Sequence, residues 1–376
     1  MATVYYDSSA TGADDGTSPA DAFTVLQTAL NSLSAGDHLY VKKGSSREGA
    51  SGTSLTFSTH SNANDGATVI EGYISATGDG GLYETSSPIN ITADNCVIKF
   101  FDIDSGTATN TLRLRGDYSL AYRCKAVNTN VSGLAAEFID SAAVECALKT
   151  TMSTGGTTRP VVYIQRGYFI NNHVVLGNGV ATSGCGLRVN TSRMQQSIVG
   201  NVIICEDTDA GTSFVGIRCD GINTQQTLLM NNTIFNFNIG IEITEGSGTD
   251  VMLSPHVYYG NIIYSCVDGI KNSQGTTVTN FGLFSIQNAF GDITTAQTTN
   301  LSHVIDSISL TESPFVDTTD FKLNDASGGG ALLKGTLGRP DPADLSSTTR
   351  TQFQSLGAMQ PAAGSSTTLP TIVSVF

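Results

Sequence analysis

Four segments of this chain follow one formula: YFINNHVVLG (168–177), SIVGNVIICE (197–206), LLMNNTIFNF (228–237) and VYYGNIIYSC (257–266). Each is an apolar run, then Gly or Asn followed by Asn, then a second apolar run. The second asparagines, Asn172, Asn201, Asn232 and Asn261, are spaced 29, 31 and 29 residues apart. A further mark follows each in step: GLRV from Gly186, GIRC from Gly216, GIEI from Gly240 and GIKN from Gly269. A repeat of about 30 residues holding three short apolar runs predicts one coil of a parallel β-helix, because a single coil cannot bury its apolar face without neighbours stacked on it.

The asparagines then have a mechanical task. An abrupt corner between two strands needs a residue that tolerates the left-handed region, which Asn and Gly enter at least expense. Stacked amides can also hydrogen-bond from coil to coil. The series is therefore read as a structural corner ladder and not as a set of catalytic amides.

Less regular alternation in NCVIKFFDID, SLAYRCKAV and AAVECALKT extends the coils toward the N-terminus, and NFGLFSIQNAF and SHVIDSISL extend them past Asn261. Solenoid ends expose open edges and need caps. In SPADAFTVLQTALNSLSAG, Ser18 at the N-cap, Pro19 at the first helical position and Asp21 in the first turn predict a helix start. Phe23, Leu26, Leu30 and Leu33 share one face and Gly36 ends the run. The expected organisation is an N-terminal cap over 1–66, a parallel β-helix over 67–326, and an irregular Gly, Ser, Thr and Pro-rich tail over 327–376. That tail closes on TIVSVF, a β-prone strand that suits either docking or trimerisation, or a simple C-terminal cap.

Composition excludes several classes of partner. Of 376 residues, 19 are Lys or Arg and 33 are Asp or Glu, a net charge of −14, which leaves no basic face for nucleic acid and makes an acidic polymer a poor default ligand. No apolar run is long enough to cross a membrane, and the start MATVYYDSSATG lacks the features of a secretory signal, so a cytoplasmic site of synthesis is expected. The seven cysteines occur singly, without metal-ligand spacing, and read as small core residues. No cofactor and no metal site is predicted; Asp7, Asp14 and Asp15 fit a surface turn better than a Ca²⁺ loop.

A catalytic site would need paired carboxylates on adjacent coils, or a cation with a basic residue nearby. The only Asp-Asp pair, Asp14 and Asp15, lies in the N-terminal loop, and the five histidines are scattered. What remains is a loose acidic set, Glu206, Asp207 and Asp209, with Asp220 and Glu242 at outward positions of neighbouring coils. Asp207, Asp220 and Glu242 form the alternative catalytic set for a glycosidase or lyase, against a reading as solvated acidic surface.

The opening VYYDSSATGADDGTSPADAFTVLQTALNSLSAGDHLYVKKG, with INITADNCVIKFFDI and the close SPFVDTTDFKL and SLGAMQ, resembles the pectate-lyase-like right-handed β-helix proteins of tailed bacteriophages. The resemblance rests on the strand Val4 to Asp7, the loop Asp14 to Thr17, the helix Ala22 to Leu33 and the GDHLYV run from Gly36 to Val41. It implies a right-handed all-β solenoid and a virion protein. The expected role is a non-enzymatic homotrimer that decorates and cements the capsid, with the major capsid protein as partner. Its site would be the virion surface, after synthesis in the host cytoplasm. The alternative it carries is a tailspike-like protein that binds or degrades polysaccharide, with host-surface glycans as ligand.

Overall fold

The computed structural model describes residues 1–59, 66–106, 109–130, 133–151, 160–177, 183–190, 196–206, 213–220, 226–244, 256–273, 283–297, 303–316, 321 and 333. The chain is an all-β parallel solenoid, and among the described residues the one named helix is Leu26–Ser32. It divides into two compact units, one of residues 1–168 with 175–184 and one of residues 169–174 with 185–376.

In the first unit, strands Thr3–Tyr6, His38–Lys42, Thr68–Tyr73, Cys96–Lys99, Ser119–Tyr122 and Ser141–Val144 stack in parallel to make one sheet. A second sheet runs through the other two sides of each coil and contains Ile89–Ile91, Asn110–Leu114 and Leu134–Ile139, paired in that order. Alternate residues point inward, as in Leu39, Ile70, Ile98, Ala121 and Ala143, all essentially inaccessible. Residues of the expected N-terminal cap thus supply the first two strands of this sheet.

The helix is shorter than the sequence predicts. It starts at Leu26 with Val25 at the N-cap and no side-chain cap. Phe23 is drawn instead into a parallel bridge with Tyr6, its N–H bonded to Tyr5 O at 2.9 Å and its carbonyl accepting from Asp7 N at 3.0 Å. Ser18 and Asp21 satisfy each other, Ser18 Oγ donating to Asp21 Oδ2 at 2.8 Å and accepting from Asp21 N at 3.1 Å. Leu26 and Leu30 still close over the core, where with Phe57, Ile70, Ile98 and Phe101 they leave a void of only about 10 Å³.

In the second unit the first sheet comprises Gln196–Val199, Thr227–Met230, His256–Tyr259, Leu283–Ile286 and His303–Ile305, again parallel. The other sides of the coils are formed by Val202–Cys205, Thr233–Phe235 and Ile262–Asn272 and, past a bend, by Ser213–Asp220 and Ile239–Thr244. All seven cysteines of the chain are free and buried. Among the described residues no helix is long and apolar enough to cross a membrane.

Candidate functional site

The four asparagines of the repeat are fully buried in the second unit. From Asn201 onward, each amide oxygen accepts from the backbone and the amide of the preceding coil's asparagine. Asn201 Oδ1 takes Asn172 N at 2.8 Å and Asn172 Nδ2 at 3.1 Å; Asn232 Oδ1 takes the corresponding atoms of Asn201 at 3.0 and 2.9 Å. Asn261 Oδ1 does the same for Asn232 at 3.0 and 2.9 Å. A fifth member, Asn288, continues the column by accepting from Asn261, both bonds at 2.9 Å. The residue before each ladder amide makes the turn: Asn171, Gly200, Asn231, Gly260 and Gln287 have φ of 55, 69, 53, 63 and 49°. The corner therefore divides its work between two adjacent residues, one left-handed and one hydrogen-bonding.

Of the alternative catalytic set, Asp207 lies outside the described residues. Asp220 and Glu242 stand on paired strands, with Arg218 opposite Glu242 and Asp220 opposite Thr244. Glu242 Oε2 receives Arg218 Nε at 2.8 Å and Nη2 at 2.7 Å, while Ser273 Oγ donates to Oε1 at 2.6 Å. Asp220 receives Arg188 Nε and Thr244 Oγ1. Arg218 is raised above its ordinary range: burial alone would lower it, but Cys185, Glu242 and Asp220 beside it outweigh that. Two carboxylates each engaged by an arginine and a hydroxyl form a rigid polar row suited to holding a ligand's hydroxyl groups.

The N-terminal acids do not converge. Asp7 pairs with Lys42 at 2.6 Å, Asp14 accepts from Thr24 N at 2.6 Å, and Asp15 accepts from Thr17 N at 3.0 Å. Among the described residues, no three His, Cys, Asp or Glu side chains are grouped to hold a metal.

The first unit contains a feature that no motif marked. A polar groove of about 470 Å³ is lined by Ser51, Gly52, Ser54, Pro88, Ile89, Asn90, Thr109, Asn110 and Arg113. Asn90, Arg113 and Glu137 face each other across three paired strands. Glu137, 7% exposed, binds Arg113 Nε at 2.7 Å, Arg115 Nη2 at 2.8 Å and Asn110 Nδ2 at 2.8 Å. One buried carboxylate thus orients two arginines and an amide, and of these Arg113 and Asn110 line the groove. The volume falls within the roughly 300–1,000 Å³ of ordinary ligand sites. These residues come from three separate stretches of chain, so only the fold brings them together.

No family model and no curated protein matches this sequence. Solved structures do match. The crystal structure of pectate lyase Pel9A aligns over 96% of this chain and 97% of its own, with 11% identity and a TM-score of 0.52. A rhamnogalacturonan lyase aligns over 84% of this chain and 91% of its own, with 10% identity and a TM-score of 0.54. At such identities the likeness is one of architecture: the chain has the pectate-lyase-like, right-handed parallel β-helix fold.

Proposed function

We propose that this protein recognises a polysaccharide and belongs to the glycan-degrading class of β-helix proteins, with a glycan segment seated in the groove headed by Arg113. The observation that carries the reading is the groove itself: neutral hydroxyl and amide groups around an arginine held by Glu137 of the next strand. Sugars present dense hydroxyl donors and acceptors at this scale, and neutral partners with one oriented cation match them. The names of the two structural neighbours set the first reaction class to test, β-elimination, in which a base takes a carbon-bound proton, a C=C bond forms and the glycosidic oxygen leaves.

Affinity electrophoresis against a panel of acidic and neutral polysaccharides, with assay of reducing and unsaturated ends, tests this. The wild-type protein is expected to be retarded by at least one polymer. Arg113→Ala should weaken that binding about 10- to 100-fold, the loss of one charge-assisted contact, with the far-UV circular dichroism spectrum unchanged. Absence of binding and release across the panel overturns the reading. An inert protein that is trimeric by light scattering would favour the capsid-decoration role implied by the phage resemblance.

A further inference from the structure

In the first unit, the chain enters the first sheet through a column of left-handed corners, Asn95, Tyr118, Asp140 and Arg166, with φ of 50, 59, 54 and 58°. The flanking strands fix their order: Ser119 pairs with Ser141, and Ile139 pairs with Gln165. Asn and Asp enter this region at least cost, whereas a bulky aromatic residue there is an outlier. Tyr118 recovers little of that cost by burial, because it is 77% exposed. Strain held by a side chain that packs into no core points to a ligand.

A second ring stands on the same sheet. Tyr168, 57% exposed, opens strand Tyr168–Ile170, whose next residue, Phe169, is wholly inside. Both backbones are held firmly. Tyr118 N donates to Asp140 O at 3.0 Å, and Ser119 N closes the turn onto Gly116 O at 3.3 Å. A Cβ on Gly116 would lie 1.7 Å from Ala93 O, and one on Gly167 2.0 Å from Ser141 O, so neither corner can shift freely. Two coils at about 4.8 Å and two residues at about 3.3 Å put the Cα atoms of the two tyrosines roughly 12 Å apart.

Polar groups lie beside and between the rings. Arg166 bonds the Asp140 carboxylate, and Asp117 N donates to Asp94 at 2.8 Å. Burial pushes the Asp140 carboxyl up, Arg166 pulls it down, and the nearby Asp117 carboxylate pushes it up again. This chemistry selects the occupant. Exposed phenol rings offer flat apolar faces to the C–H face of a sugar ring, while carboxylates and a guanidinium accept from and donate to its hydroxyls. Asp94, Asp117 and Asp140 against Arg166 make the row negative, which disfavours an anionic polymer. A protein partner would need a contiguous apolar centre, and here charged groups separate the rings. We infer that Tyr118 and Tyr168 form a stacking site for an uncharged saccharide, a second contact line around the corner from the Arg113 groove. The inference rests on the reading of the protein as a polysaccharide binder.

Affinity electrophoresis of the full-length protein in neutral glucans, mannans, xylans and galactans tests it. At least one polymer is expected to retard the wild-type protein. Tyr118→Ala and Tyr168→Ala should each weaken that binding about three- to tenfold, and Tyr118→Phe, which keeps the ring face, by less than about twofold. Tyr118→Asn, suited to the left-handed corner, should lose affinity like the alanine variant without a fall in unfolding temperature. Wild-type affinity in both alanine variants overturns the inference and leaves the Arg113 groove standing if Arg113→Ala weakens binding. Loss in the tyrosine variants with wild-type affinity in Arg113→Ala supports the inference and overturns the groove. Retardation by no neutral polymer overturns the inference whatever acidic polymers do. A clear fall in unfolding temperature for Tyr118→Asn also overturns it, because the ring would then serve the fold.

Discussion

Asn232 shows how much one amide carries in this fold. Its oxygen accepts two bonds from Asn201, its Nδ2 donates to Ile198 O at 2.9 Å and to Asn261 Oδ1 at 2.9 Å, and its own N–H reaches Asn261 Oδ1 at 3.0 Å. Asn232→Ala would strand the Asn201 backbone N–H in a dry interior and remove donors from two buried oxygens. A single orphaned buried group costs about 1–3 kcal/mol, and several together place the expected loss at about 3–5 kcal/mol. Urea unfolding checks this, and Asn232→Asp separates the amide from its volume. The carboxylate keeps the size but turns an oxygen toward Ile198 O and Asn261 Oδ1, so it should destabilise at least as much as alanine. A near-neutral Asp variant would refute the ladder account. The first unit fills the same position differently: Cys124 Sγ donates to Ile98 O at 3.6 Å and Cys146 Sγ to Ala121 O at 3.5 Å, each following a left-handed residue, Arg123 or Glu145. A buried thiol there is inert, and burial raises the Cys146 thiol well above its ordinary value.

At the level of strands, the glycines Gly186, Gly216, Gly240 and Gly269 have a separate cause from the asparagines. They sit where successive coils press closely together, and a Cβ on Gly240 would lie 2.5 Å from Ile263 Cγ2 and 2.7 Å from Gly269 O. The obstacle includes backbone, so Gly240→Ala cannot be relieved by a rotamer change and should destabilise by about 2–3 kcal/mol, the upper part of the overpacking range. Gly52→Ala, where nothing lies within 4 Å, should change stability by less than about 0.5 kcal/mol. Thermal unfolding of both variants measures the contrast, and equal losses would remove the close-packing explanation. This distinction marks what the sequence discloses. Repeated Asn and Gly are legible because one residue type recurs at one spacing. Asn288 is harder to see, since Gln287 replaces the usual Gly or Asn before it, and the Cys124 and Cys146 corners are hidden because a thiol does the work of an amide. The helix start misleads because Phe23 is claimed by strand pairing with Tyr6, a contact with no local signature. The Arg113 groove is invisible for a similar reason: Ser51, Asn90 and Arg113 become neighbours only after two coils have stacked.

Over the whole molecule, charge and site pull in opposite directions. The net charge is −14, which repels an anionic polymer at long range, whereas the groove presents Arg113, which shares the single carboxylate of Glu137 with Arg115. Salt separates these terms because they act over different distances. The Debye length is about 30 Å at 10 mM salt, about 8 Å at 150 mM and about 3 Å at 1 M. Moderate salt therefore removes the repulsion between a distant polymer and the acidic surface while leaving contacts within a few ångströms of Arg113 mostly intact. An acidic glycan should consequently bind several-fold more tightly at 150 mM than at 10 mM and weaken again toward 1 M. A neutral glycan, held by Ser51, Ser54, Asn90, Thr109 and Asn110, should vary by less than about twofold over the same range, since uncharged hydrogen bonds are little screened. Calorimetric titration of one polymer of each kind gives both curves. A steady loss of acidic-glycan affinity from the lowest salt upward would mean that the local arginines outweigh the surrounding acidic surface even at long range, and the ligand class would then be set by charge and not by hydroxyl recognition.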